Sequence, residues 1–429
     1  MLIPMEITFP KMALVEQRIP SPRVEDVPAA IRAEMEGLGV AAKVRPGMPI
    51  ALTAGSRGIS GIPLILRSVA ARLREWGAEP FLAPAMGSHG GATAEGQVAV
   101  LESLGISEAT VGCPVRASMD TVRIGSTAEG IPVLIDRLAY EAGGIVVINR
   151  VKAHTDYFGP PESGLLKMLT IGLGKHQGAL AAHRNAVQMG HAQAIRSVAR
   201  AMIANAKLLF GLGIVENAYD QTAAVAACWP EDFEETDNRL LEQAKQLMAR
   251  LPFDQLDILI VDELGKEISG SGMDPNVIGR RMIFGEPGVS TPVITRIVVR
   301  DLSPKTYGSG VGVGMADFVT QRLVDKLDHR PTYINCLTAQ APENARIPMT
   351  AGHDREAVEW AFMTAGAVEA RQARVVRIQN TLHLEHFYAS EALQTEIEAN
   401  SRLKICSEWA PLAFREDGAI IPGEIAVTA

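Results

Sequence analysis

The sequence has little cysteine: four in 429 residues, at Cys113, Cys228, Cys336 and Cys406, with no CxxC pair. That spacing excludes a disulfide framework and a cysteine-based zinc site, and leaves buried thiols as the expectation. Positive charge is also short, since 41 Lys and Arg against 49 Asp and Glu give a net charge of -8. A nucleic-acid partner is therefore not expected. No apolar run approaches the ~18 to 20 residues of a membrane span, so the chain is expected neither to cross nor to anchor in a bilayer. The start, MLIPMEITFPKMALVEQRIP, lacks the basic segment, long apolar stretch and small-residue cleavage site of a secretory signal, which makes the cytoplasm the expected location. No GK[ST] follows the first glycine turn, and no GxGxxG with a downstream acidic residue follows the first strand, so neither a Walker loop nor a dinucleotide fingerprint is present. Repeats at a solenoid period and low-complexity tracts are absent too.

What remains is an ordinary globular composition, 47% hydrophobic and 21% charged, in a chain long enough for two or three cores. After a polar, Pro-punctuated start, Pro49 to Thr53 reads as a strand, stopped by the turn Gly55-Ser56-Arg57-Gly58. Helical spacing from Ile62 to Trp76 leads to a second strand, Pro80 to Ala83, and a second turn, Met86-Gly87-Ser88-His89-Gly90-Gly91. Thr93 is the expected N-cap of a helix through Leu104, and Ile145 to Asn149 is a fully apolar strand. Residues Ser163 to Asn205 read as helical, Lys207 to Val215 as a strand, and Phe233 to Leu251 as a helix ending at Pro252. A second alternating pattern follows, with strands at Leu256 to Leu264, Pro292 to Leu302 and Ala373 to Thr381. This alternation predicts an α/β fold of two α/β domains with largely parallel sheets and an active-site cleft between them. The expected domains are 1–252 and 253–429, the last ~25 residues packing back on the first.

Nine histidines are unevenly placed: His154, His176, His183 and His191 fall within 38 residues, and His89 sits inside a glycine turn. His89 and His154 each follow a strand of a parallel pattern, where α/β enzymes form their ligand crevice, although such a residue can also merely hydrogen-bond a loop backbone. The segment Asn149 to Arg184 strings His154, Lys167, His176 and His183 through a Gly/Pro-rich connection. Lys167 has apolar neighbours in SGLLKML, which suits either a snorkelling helix lysine or an unprotonated nucleophile. His176 and His183 are seven apart, on one helix face if Gly178 does not break the helix. The Ser56–Arg57 turn offers N–H groups, a hydroxyl and a guanidinium for a phosphate or carboxylate. The alternating glycines of Gly308 to Gly314 read as a tight loop or close packing. In the second pattern, Glu263 and Lys266 leave a strand end, where Lys266 can bind an acid's carboxylate or pair with Glu263 or Glu267.

Taken together, AGSRGI, MGSHGGAT, NRVKAH, SGLLKM with a histidine sixteen residues beyond its lysine, and DELGKE resemble the nickel-pincer nucleotide-dependent lactate racemase family, from about residue 47 to 316. The resemblance implies an isomerase that inverts the C2 hydroxyl carbon of a 2-hydroxy acid. It implies that Arg57 and Lys266 hold the substrate carboxylate, that His89 and His154 are the acid/base pair, and that Lys167 joins a pyridinium mononucleotide bearing sulfur donors. Ser56 and Ser88 would contact that cofactor and His183 would complete the nickel coordination. Cofactor-maturation enzymes would then be partners. The chain departs from the family pattern at Ala54-Gly55-Ser56-Arg57, at Gly90, and in a longer His154-to-Lys167 interval containing Phe158 to Glu162. Where the family has Gln-x-x-Lys, this chain has Glu263-Leu-Gly-Lys266, and a carboxylate there favours a polyhydroxylated sugar acid over lactate or malate. Competing readings are an NAD-dependent hydroxy-acid dehydrogenase, which should carry the missing fingerprint, and a cofactor-less metal or hydroxy-acid binding protein.

Overall fold

The computed structural model describes residues 7–56, 58–366, 369–421 and 425. Two compact units emerge: residues 20–248 form one, and the stretch up to Ile19 with that from Ala249 onward forms the other. Strand β1 (Lys11–Gln17) opens the described chain and belongs to the second unit. The polar-looking start hides this strand, whose residues from Met12 to Gln17 are mostly buried.

Within 20–248 the strands are β2 (Pro49–Ala54), β3 (Glu79–Pro84), β4 (Thr121–Ser126), β5 (Pro132–Asp136), β6 (Gly144–Arg150), β7 (Leu208–Glu216) and β8 (Thr222–Cys228). Five make one sheet in the order β3-β2-β6-β7-β8, parallel except for β8. Covered on both faces, such strands need apolar side chains in both directions, which is why PIALTA and GIVVI read as uninterrupted runs. Ile50, Leu52, Val146 and Ile148 meet Ile65, Leu66, Val69 and Leu73 of helix Ile62–Glu75 on one face. Ala51, Phe81, Ile145 and Val147 meet Leu165, Leu169, Ile195, Val198 and Met202 on the other. Each fully buried Leu, Ile or Val contributes roughly 1.5–3 kcal/mol, and Leu66→Ala would cost about 2–5 kcal/mol with the cavity included. Thr93 caps helix Ala94–Ser103 by accepting the Gly96 N–H. The β4–β5 hairpin has no clear sequence signal, because a bulge between Arg123 and Gly125 breaks its alternation.

The second unit adds β9 (Gln255–Leu264), β10 (Val293–Leu302), β11 (Phe318–Thr320), β12 (Met349–Ala351), β13 (Val375–Ile378), β14 (His386–Ser390), β15 (Leu403–Ile405) and β16 (Ala410–Pro411). Its sheet runs β12-β11-β10-β9-β13-β14-β1-β15, with β16 also on β1. From β12 to β13 it is parallel, and the β14, β1 and β15 end is antiparallel. The fold is thus α/β with largely parallel sheets. Two elements are shorter than the sequence suggests: the helix from Phe233 ends at Leu247, where Met248 turns extended, and the strand expected to reach Thr381 stops at Ile378. Within the glycine-rich stretch, Gly312 (φ 87) lies so close to Ser271 O that a Cβ would stand 1.8 Å from it, so close packing explains this glycine. Among the described residues, no helix is long and apolar enough to cross a membrane.

Candidate active site

The first unit gathers its chemistry in the loops after the carboxyl ends of β2, β3 and β6. Glu216, at the end of β7, ties two of these ends together by accepting the Ser60 N–H at 2.6 Å and pairing with Arg150. Ser56 follows β2 and His89 follows β3; Ser56 Oγ lies 2.6 Å from His89 Nδ1. Arg57, expected to grip a carboxylate, lies outside the described residues. Ser88 is half-buried and His89 exposed at the tip of its turn. The Ser56 hydroxyl can accept from Nδ1–H, which puts the lone pair of the neutral His89 ring on Nε2.

His154 is held differently. Its backbone N–H donates to Glu162 Oε2 at 2.7 Å, and its Nδ1 accepts the Asp156 N–H at 3.0 Å. The ring stacks on buried Tyr157 with centroids 4.2 Å apart. Glu162 is itself buried, and its other oxygen meets Lys245 Nζ at 2.8 Å. Tyr157 completes the loop by donating its hydroxyl to Glu162 O at 2.6 Å. With Nδ1 occupied as an acceptor, the neutral ring carries its proton on Nε2, which stands 2.5 Å from Lys167 Nζ.

Lys167 ends a single helical turn, Leu165–Lys167, after which the chain winds as a π-helix over Met168–Leu173. Wide turns of this kind concentrate at functional sites. The turn is gripped at both sides of one peptide: Asn149 Nδ2 donates to Gly164 O at 2.7 Å, while Asp237 accepts the Leu165 and Leu166 N–H groups at 2.8 and 2.9 Å. Any Cβ at position 164 would come within 2.3 Å of Asp237 Oδ1, so only glycine fits there. Burial pushes the Asp237 carboxyl up to about 7, against the two amides that favour its ionised form.

His183 sits in the helix Lys175–Met189, which continues unbroken past Gly178. Its ring is edge-on to His191 at 5.9 Å, and His191 stacks on Tyr157 at 5.1 Å. Burial, then His191 and Lys167, push its pKa down to about 4, with Asp156 opposing, so this imidazole stays neutral at neutral pH. Neutral imidazole is the metal-binding form. His176 is exposed at the start of the same helix. Among the described residues no group of three or more His, Cys, Asp or Glu side chains is arranged to hold a metal. A histidine kept neutral by burial, within electrostatic reach of Lys167, could serve as a ligand to a group that brings further metal donors of its own.

In the second unit, Glu263 at the end of β9 is half-buried and hydrogen-bonded by the Asn380 side chain. Burial, with Asp262, Asp301 and Glu267 adding to it, raises its pKa against the Asn380 bond. Lys266 is exposed; its Nζ bonds Asn335 Oδ1, and its backbone N–H donates to Thr306 Oγ1 at 3.1 Å. The structure thus brings together Ser56 with His89, and His154 with Lys167, with His183 against His191 and within electrostatic reach of Lys167. It adds Tyr157, Glu162, His191 and Asp237, which motif reasoning passed over. Of these only His191 had a signal, as the fourth member of the histidine cluster.

No known family model matches the chain, and no curated protein matches it in sequence. Among solved structures, the lactate racemase apoprotein from Thermoanaerobacterium thermosaccharolyticum is similar with a TM-score of 0.51 at 13% identity, over 86% of this chain and 94% of that one. At that identity the likeness is one of fold.

Proposed function

We propose that this chain is an isomerase that inverts C2 of a 2-hydroxy acid, with a nickel-pincer nucleotide anchored at Lys167. The observation that carries the reading is the Lys167 amine, 2.5 Å from His154 Nε2 and close to a histidine kept neutral by burial. The fold shared with a lactate racemase apoprotein supports it.

The bound group would supply a reversible store for the C2 hydride. Lys167 offers its lone pair for the covalent link, and His183 offers a neutral imidazole to nickel; Ser56 and Ser88 lie on the turns that would face the nucleotide. Arg57 and Lys266 would take the substrate carboxylate. His89 removes the hydroxyl proton at Nε2 while Nδ1–H is held by Ser56. His154 would serve the opposite hydroxyl orientation, its imidazolium form returning a proton from Nε2 to the C2 oxygen and ending as the neutral ring. The Glu263 carboxyl would accept hydrogen bonds from the hydroxyls of an aldonate, which suit it better than a methyl or a second carboxylate. Cofactor-maturation enzymes would be its partners.

Holoprotein made alongside those enzymes should be offered C2-deuterated lactate, malate, phenyllactate and gluconate. Epimerisation of gluconate at C2 with the label retained is expected. If lactate or malate is preferred, the Glu263 inference falls. Holoprotein that inverts none of the four contradicts the isomerase reading, and wash-out of deuterium replaces hydride storage with carbanion chemistry.

A further inference from the structure

Beneath the turn that carries His89 lies a polar cluster that the reaction above does not use. Lys175 is fully buried, and its ammonium reaches Pro84 O at 2.6 Å, Gln97 Oε1 at 2.8 Å and Asp136 Oδ2 at 3.2 Å. The backbone at Lys175 adopts φ 54, a left-handed conformation uncommon for a side-chain-bearing residue. Asp136 is fully buried as well and accepts the Ala139 N–H at 2.8 Å. A buried ion pair of this sort is weak evidence of a stabilising role, since well-packed apolar residues often serve stability equally well.

What the cluster fixes is the other end of Gln97. This side chain is completely buried, and its Nε2 donates to Gly87 O at 3.0 Å and His89 O at 3.4 Å. The ammonium sets the amide's orientation: a flipped Gln97 would face Lys175 with its NH2 and two carbonyls with its oxygen. Pro84 ends β3, so Lys175 grips the strand where the turn begins, and Gln97 grips the turn on either side of Ser88. Ser56 Oγ meets His89 Nδ1 on the open side of the same turn.

We propose that Lys175 and Gln97 are positioning residues for His89, holding its turn so that Ser56 fixes the imidazole in one tautomer and aims Nε2 at the substrate hydroxyl. The inference rests on the reading of His89 as the acid/base group.

Gln97→Glu tests it, because the carboxylate keeps an acceptor for Lys175 but turns an oxygen toward the Gly87 and His89 carbonyls. Gln97→Met, of similar volume, removes both ends and serves if the carboxylate disturbs folding. The ring-nitrogen NMR shifts of His89, assigned with His89→Asn in histidine-labelled protein without cofactor, are the first readout. Wild type should show two well-separated ring nitrogens, and the Gln97 variants averaged ones. In holoprotein, kcat of the variants should fall about tenfold or more with KM changed less than about twofold, as misplacement of a catalytic group predicts. Unaltered His89 shifts in both folded variants overturn the positioning role. Averaged shifts with unchanged turnover leave the positioning intact and instead remove His89 from the chemistry.

Discussion

Both units bury ion pairs, Lys175 with Asp136 in 20–248 and Arg300 with Asp262 in the other, but they use the buried groups differently. In 20–248 the buried ionic groups grip the main chain: Asp237 the amides of Leu165 and Leu166, Glu162 the amide of His154, Lys175 the carbonyl of Pro84. In the other unit they mostly grip one another, although Asp354 also accepts the Ile420 N–H at 3.1 Å. Asp262 accepts from Arg300 at 2.7 Å and from Arg377 at 2.8 Å, and Asp354 accepts from Arg300 at 2.7 Å and Arg322 at 2.9 Å. A charge on a backbone group decides where a loop goes, whereas charges closed on each other fasten neighbouring strands, here β9, β10 and β13. The first arrangement surrounds His89, His154 and Lys167, and the second holds a sheet.

The contrast can be broken in order of expected effect. Lys167→Ala should abolish turnover and leave thermal unfolding close to wild type, since a half-buried side chain is lost and the Asp237 grip is on main-chain atoms; residual turnover of even a few per cent would detach Lys167 from the chemistry. Asp262→Ala removes the carboxylate shared by two buried guanidiniums and should cost about 3–5 kcal/mol in chemical denaturation, with the mass of the Lys167 peptide unchanged. Asp237→Asn turns one amide acceptor into a donor and should cost roughly 1–3 kcal/mol. It also carries a pH signature. The Asp237 pKa is raised from 3.8 to about 7 on folding, so the folded chain binds the extra proton, and wild-type stability should fall relative to Asp237→Asn as pH rises from about 4 to about 7. A flat difference across that window would mean the carboxylate is not buried as described. The smallest effect belongs to His183, whose pKa is lowered from 6.5 to about 4, so the unfolded chain binds more protons between those values. Wild type should therefore lose stability relative to His183→Gln as pH falls from 6.5 to 4, measured by urea midpoints.

The unit with the chemistry was also the more legible from sequence, for physical reasons. Doubly covered parallel strands must be apolar throughout, so β2, β3 and β6 stand out, and the turns at their ends delivered Ser56 and His89 to one place. Strand β1 and the β4–β5 hairpin escaped because short partners and a bulge leave no sustained period. His176 and His183 looked alike at seven-residue spacing, yet only His183 faces His191 and loses its solvent. The long Phe158 to Glu162 interval read as a departure, whereas Glu162 turns back to hold His154. A π-helix after Lys167 and a carboxylate reaching Leu165 from Asp237, 72 residues on, have no local signature at all.

Peptide mapping by mass spectrometry, with a nickel assay, of protein made in cells that carry the cofactor-maturation enzymes tests the assignment of Lys167 and His183 most directly. A nucleotide adduct on the peptide containing Lys167, nickel accompanying it, loss of both in Lys167→Ala, and loss of nickel alone in His183→Ala are the predicted results. An unmodified Lys167 in protein that still inverts a 2-hydroxy acid would contradict the assignment.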